Sequence, residues 1–318
     1  MIEAALAHVR ALAGGGGTAP AEVLRPARIT VNFHPDRLAG ALTVAAALAR
    51  DGVYRTQFET RISNGGLTAH PGGDRERWET RMFGGAYAPE LTAGRPVYGG
   101  FNLAGHVDGA SPRFGSCHLR LTAAAGARAT FSHGDSVTEP TVVGTLDTFG
   151  GIWAALLDEV ARTGTALGLA AATPGEWVAA LSVPRAQPGR VLDDYVETQV
   201  HGGVDLAADV EAIVADPSFR GTPTGDLLAG LAPRLHWHPG FTLRPEEFPA
   251  EARGPLAPVL AAHLATLYRA ELIDAELIGR AARSVVREPQ RWSAFPDPLQ
   301  QLKYLWHILV MAGRPAAG

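Results

Sequence analysis

Residues 193–219, DDYVETQVHGGVDLAADVEAIVADPSF, decide how this chain is read. The aromatic and β-branched run Tyr195, Val196, Thr198 and Val200 alternates with Glu197, Gln199 and His201. An apolar side chain at every second position is the signature of a strand with one buried face. Gly202 and Gly203 then end or bend it. A second run, Val210, Ile213 and Val214, leads to the turn signal Asp216-Pro217. A carboxylate and an imidazole on the polar side of the first strand would make a compact site. The same pattern also suits an edge strand with a solvated face, so the reading turns on what else in the chain faces Glu197.

Working outward, Arg28 to Phe33 (RITVNF) reads as the first strand and runs into His34-Pro35-Asp36-Arg37. Leu38 to Arg50 reads as a helix closed by Gly52, and Val53 to Thr60 as a further strand before the turn signal Asn64-Gly65. Arg95 to Leu103 reads as a strand with close backbone approach at Gly99 and Gly100. In Gly115 to Leu121, Cys117, Leu119 and Leu121 share one face, and Ser116, His118 and Arg120 the other. Ala129 to Phe131 begins another strand. Helices are expected at Ile2 to Leu12, Asp74 to Phe83, Phe149 to Arg162 and Glu176 to Leu181. Beyond Phe219 helical patterns dominate, over Thr224 to Leu231, Leu256 to Leu277, Leu277 to Val286 and Leu299 to Ala312. The expected fold is α+β: a bent mixed or antiparallel sheet covered by helices, with a mainly helical C-terminal portion. Residues 1–27 would form an N-terminal helix and Gly/Pro linker, 28–220 a strand-rich catalytic domain, and 221–318 a helical region packed on it.

The 318 residues carry 28 basic and 32 acidic side chains, a formal charge of -4. That balance argues against general nucleic-acid coating and leaves room for a local basic groove. Cys117 is the only cysteine, so no intramolecular disulfide or multi-cysteine metal site is available, and its apolar side marks it as a core residue. No apolar run approaches the ~20 residues of a spanning helix, and the N-terminus lacks a basic leader with a long apolar run. A cytoplasmic protein that binds no membrane is expected.

Four polar clusters stand at strand ends or turns: His34/Asp36/Arg37, Arg55/Gln57/Glu59 with Ser63, His133/Asp135/Ser136, and Glu197/Gln199/His201. Tyr98 and His118 are accessory candidates. His34, Asp36, His133, Asp135 and His201 offer imidazole and carboxylate ligands for a divalent metal, which would suit a metal-dependent hydrolase or phosphoesterase. The clusters would equally furnish a non-enzymatic protein-binding surface. No serine stands in a Gly-x-Ser-x-Gly setting. His236 and His238 flank Trp237 as a possible ligand pair or the border of a pocket.

The segments ITVNFHPDRL (29–38), YRTQFETRISNG (54–65), SPRFGSCHLRL (111–121), ATFSHGDS (129–136) and YVETQVHG (195–202) resemble those of a bacterial family known only as a domain of unknown function. That resemblance puts glycine at the place of Arg61, a departure that would narrow the opening beside the turn. A fainter resemblance is to the ADP-ribosyltransferase superfamily, whose split, strand-rich NAD cleft lies between an early strand bearing Arg or His, a middle strand bearing Ser-Thr-Ser or Tyr, and a late strand bearing a catalytic Glu. The resemblance implies Glu197 as that glutamate, Tyr98 on the middle strand, and His34 or Arg37 in the early position. Phe58 to Ser63 is a looser echo of the serine-bearing strand. The Ser-Thr-Ser triplet is absent, and Gln199 replaces the second acid of a Glu-x-Glu pair, which does not point to arginine as acceptor. On this reading Glu197, Tyr98 and Gln199 are catalytic; His34, Arg37, Arg55, Ser63 and Gly99 bind NAD; and ADP-ribose goes to an unknown macromolecular acceptor. Arg37 or Arg55 would pair with the pyrophosphate, Tyr98 would stack on nicotinamide, and Gly99 would admit backbone amides to its carboxamide.

Overall fold

A computed structural model describes residues 1–61 and 67–316. Its main sheet contains β1 (Arg28–Phe33), β2 (Val97–Asn102), β3 (Cys117–Leu121), β4 (Ala129–His133), β5 (Val143–Gly144), β6 (Val196–Val200), β7 (Val210–Ala215) and β8 (Arg234–Trp237). Their order across the sheet is β8-β7-β3-β1-β2-β6-β4-β5. All neighbours are antiparallel except β7 and β8, so the fold is α+β around a mixed sheet. β6 is no edge strand. It runs between β2 and β4, and all five of its residues are buried.

Because strand side chains alternate, register sorts the sheet into two unlike faces. Ile29, Val31, Leu119, Phe101 and Phe131 fall on one. There the rings of Phe101, Phe131 and Phe149 meet with centroids 5.0 to 5.5 Å apart. Helix Gly150–Thr163 adds Ile152, Trp153, Leu156 and Val160 to the same core. Burying side chains of this size contributes roughly 1.5–3 kcal/mol each. Thr30, Asn32, Tyr98, His118, Glu197 and Gln199 fall on the other face. Five of these six polar side chains are buried, Tyr98 being half-buried.

Three expected elements are different in the structure. Val53 to Thr60 is not one strand. Val53–Tyr54 pairs with Val204–Asp205, and Gln57–Thr60 is a helical turn. Thr56 and Glu59 form a capping box there: the Thr56 hydroxyl accepts from the Glu59 amide at 3.2 Å, and the Glu59 carboxylate accepts from the Thr56 amide at 2.9 Å. Arg55, Gln57 and Glu59 therefore do not share one side of a strand. Arg61 closes that turn at φ 54°, a left-handed conformation that favours glycine, which fits the glycine implied at this place. The expected helix from Leu38 begins only at Val44, capped by Thr43, after a small hairpin of Leu38–Ala39 and Leu42–Thr43. The expected helix from Leu256 to Leu277 stops at Tyr268, where Arg269 turns left-handed, and restarts at Ala275 under an Asp274 cap.

The C-terminal helices contact the segment that follows β1. Asp36 is 1% exposed and pairs at 2.8 Å with Arg283 on helix Ala275–Arg287. On helix Pro298–Ala312, Trp306 donates to the Pro112 carbonyl at 2.8 Å and meets His34 edge-on at 5.3 Å. Helix Ala275–Arg287 approaches Asp36 through Gly279, where an added Cβ would stand 1.6 Å from the carboxylate. Gly279→Ala is therefore expected to destabilise the protein by on the order of 3 kcal/mol, by overpacking and by displacing a buried ion pair. Urea unfolding followed by circular dichroism measures this, and a midpoint equal to wild type would contradict the packing described.

Candidate active site

β1 and β2 pair over three residues only: Arg28 with Asn102, Ile29 with Phe101, and Thr30 with Gly100. They then part. β1 stays with β3 through Phe33 and Cys117, while β2 stays with β6 through Val97 and Val200. Gly99 stands at the point of parting, and a Cβ there would lie 2.5 Å from the Thr30 carbonyl oxygen. Gly100 is equally constrained, since its Cβ would lie 2.7 Å from that of Ala110. These glycines let β2 pass close under β1 and the loop above it.

A cavity of about 330 Å³ opens at this divergence. Asn32, His34 and Arg37 line it from the end of β1, and Val97, Tyr98 and Gly99 from β2. Glu197 lines it from β6 and Tyr195 from the residue before that strand, Arg75 from helix Asp74–Met82, and Ser111 and Asp135 from loops. Arg55 sits among the lining residues.

Glu197 is 4% exposed and held by three donors. The Ser136 amide and hydroxyl donate to Oε2 at 3.2 and 3.1 Å, and Gln199 Nε2 donates to Oε1 at 3.0 Å. Ser136 in turn accepts from Arg75 Nη1 at 2.6 Å. Burial raises Glu197 from 4.5 to about 7, assisted by the negative charge of Asp135 and opposed chiefly by Arg75 and then the Ser136 donors. The carboxyl therefore changes charge near neutrality.

Tyr98 is fixed from two sides. Its hydroxyl donates to Glu79 Oε1 at 2.9 Å, and Arg95 Nη1 holds the other oxygen of Glu79 at 2.5 Å. The Arg75 guanidinium lies 4.0 Å from the Tyr98 ring centre, a cation–π contact. Burial pushes the Tyr98 hydroxyl well above its ordinary value, so it stays protonated. His34 is driven down to about 3 by burial and by neighbouring Arg37, so it is neutral at pH 7. Arg37 is half-buried and has no ion-pair partner among the described residues, leaving a cation facing the cavity.

The structure thus gathers Tyr98, Gly99, His34, Arg37, Arg55 and Glu197 around one opening. Arg55 differs from Arg37 in being neutralised, by Asp51 at 2.8 Å and Glu59 at 3.0 Å. Gln199 is not part of the lining. It is fully buried behind Glu197, with its Oε1 accepting from Thr130 at 2.8 Å, so it positions the carboxyl. Ser63 lies outside the described residues. The residues grouped as metal ligands are dispersed. Asp36 pairs with Arg283, and His133 bonds Glu159 at 3.0 Å. His201 stacks on Tyr87, whose hydroxyl lies 2.6 Å from Nδ1. Among the described residues no three His, Cys, Asp or Glu side chains are placed to hold one ion. Arg75, Glu79 and Arg95 were not singled out from the sequence. For Arg75 and Glu79 the signal is their i, i+4 spacing beside Trp78 and Met82, which puts all four on one side of a helix.

Residues 28–312 match a family described as Protein of unknown function (DUF3626). The chain belongs to this family. The match begins at β1 and ends in the last helix, so it takes in every residue of the cavity. No curated protein matches the chain. Among its described residues, no helix is long and apolar enough to cross a membrane.

The titration of Glu197 has a direct stability consequence for this DUF3626 member. Its folded-state value lies above the unfolded one. Its contribution to stability is therefore fully present below about 4.5 and lost as pH rises through about 7. Glu197→Gln removes that loss. The variant should gain stability over wild type between pH 5 and pH 8.5, by up to roughly 3 kcal/mol. Thermal melts of both proteins at the two pH values measure this, and a pH-independent difference would contradict the buried titration.

Proposed function

We propose that this protein is an ADP-ribosyltransferase-like enzyme that takes NAD into the opening between β1 and β2. The observation that carries the reading is the parting of the two strands after Thr30 and Gly100, with Glu197 of the adjacent β6 facing the gap beside Tyr98, His34 and Arg37. The strands read as early, middle and late, β1, β2 and β6, are neighbours in the sheet, which supports this reading.

The chemistry follows from the charges. The bond between ribose C1′ and the nicotinamide nitrogen breaks, and its electron pair neutralises the pyridinium. The ribose becomes oxocarbenium-like, and ionised Glu197 stabilises that developing positive charge. An acceptor nucleophile bonds to C1′ and releases its proton. Arg37, which has no ion-pair partner among the described residues, suits the pyrophosphate; Arg55 is already satisfied by two carboxylates. Neutral His34 offers a hydrogen bond without adding charge. Tyr98, anchored by Arg75 and Glu79, is the lining ring suited to pack on the nicotinamide. With Glu197 titrating near 7, nicotinamide release should rise as pH increases through that value.

Calorimetric titration with NAD and measurement of nicotinamide release test the proposal, with cell lysate supplying acceptors. Glu197→Gln should bind NAD within a few-fold of wild type and release nicotinamide about a hundredfold more slowly. Arg37→Ala should weaken binding, and Arg55→Ala should change it less. No binding at millimolar NAD, or a Glu197→Gln protein as active as wild type, would sink the reading.

A further inference from the structure

The polar face of the sheet carries a second concavity, on the far side from the β2–β6 pair. Two register rows cross β1, β3, β7 and β8 there: Thr30, Arg120, Ala212 and Arg234 in one, and Asn32, His118, Val214 and His236 in the next. Above them lies a cavity of about 780 Å³ whose lining includes Arg28, Arg120, Arg185, Arg220, His118 and Trp237, and no acidic residue among those described. Arg28 and Arg120 share a single carboxylate, Glu211, at 3.2 and 2.7 Å. Among the described residues, Arg185 donates to the neutral carbonyls of Ala104 and Ala180. Arg220 is exposed and has no ion-pair partner among the described residues; its guanidinium lies 5.2 Å from the ring centre of half-buried Trp237. Four guanidiniums thus face this hollow against one carboxylate, in a chain whose overall charge is negative. His118, only 2% exposed, lines the hollow, and its buried Nδ1 has no hydrogen-bond partner among the described residues.

We propose that this cleft is a second ligand site that takes a nucleoside phosphate, either free or as one unit of a single nucleic-acid strand. Guanidinium forks match phosphate oxygens. A Trp face bordered by an arginine accepts a base by stacking, without sequence preference. His118 adds an imidazole edge to the lining for a sugar or base edge. The site stands apart from the NAD reading, since neither Tyr98, Arg37 nor Glu197 belongs to it. A local cluster of this kind also agrees with the absence of general basicity.

Fluorescence anisotropy with a labelled oligothymidylate, competed by unlabelled AMP, tests the site on the full chain. Wild type should bind the oligonucleotide and lose about twentyfold in affinity between about 50 and about 200 mM salt, as expected for roughly three phosphate contacts on a single strand. Arg220→Glu and Trp237→Ala alter side chains at the rim and should each weaken binding about tenfold, the scale of one stacked base or one reversed contact. Arg37→Ala, in the other cavity, should leave it unchanged whether or not NAD binds there. Competition by AMP at matched phosphate concentration would assign the site to free nucleotides, and failure of AMP to compete would assign it to a strand. No binding of either probe at millimolar concentration, or binding indifferent to both Arg220→Glu and Trp237→Ala, would overturn the proposal.

Discussion

Glu197 is a carboxyl placed in the middle of a sheet, and the candidate site depends on how it is kept there. An isolated buried carboxylate is costly, so a chain that retains one must supply donors and a nearby cation. Here Ser136 supplies two donors, Gln199 a third, and Arg75 the cation through Ser136. Each of those groups is anchored elsewhere: Gln199 by Thr130, and Arg75 by its stack on Tyr98, which Glu79 and Arg95 fix in turn. The network leaves the carboxyl near the balance point between its two charge states. A group poised in this way suits a site where charge develops during a reaction better than a merely structural one.

The second constraint is geometric. A sheet that kept pairing β1 with β2 beyond Thr30 would seal the space beside Glu197. The strands part instead, and glycines at positions 99 and 100 permit the tight crossing just where they diverge. The C-terminal helices hold the parted strand from behind, through Asp36 with Arg283 and through His34 with Trp306. The segment HPDR thus divides its labour. Asp36 is buried in an ion pair away from the opening, whereas His34 and Arg37 line it. One sheet face consequently carries an acidic, hydrogen-bonded patch around Glu197 and a basic patch around Arg120 and His118.

Much of this was legible in alternation alone. β3 and β6 announce their two faces by period-two patterns, and the polar face of β6 names Glu197 directly, whereas Tyr98 enters through the resemblance. Local competition hid other parts. The aromatic and β-branched content of Val53 to Thr60 suggested a strand, but the Thr56–Glu59 capping box wins and turns the chain into a helix. The long helical pattern from Leu256 continues through a break that Arg269 and the Asp274 cap impose. Long-range partners were not legible. Nothing near Asp36 points to Arg283, 247 residues away, so a metal-ligand reading of Asp36 and a structural one look alike in sequence. Arg75 and Glu79 stand in DRERWETRM, whose polar composition conceals a buried face of Arg75, Trp78, Glu79 and Met82. Gln199 reads as a partner of Glu197 in the reaction, and what alternation does not reveal is that it donates to that carboxyl from a buried position outside the cavity lining.

The central claim is that the parted strands form a nucleotide cleft with Glu197 at its reacting end. A crystal structure of the protein grown with millimolar NAD, or with a non-hydrolysable analogue, tests it most directly. The account predicts density for the nicotinamide ribose between Tyr98, Gly99 and Glu197, with the pyrophosphate directed to Arg37. An opening that stays free of ligand at that concentration, or a dinucleotide bound away from Glu197, would contradict it.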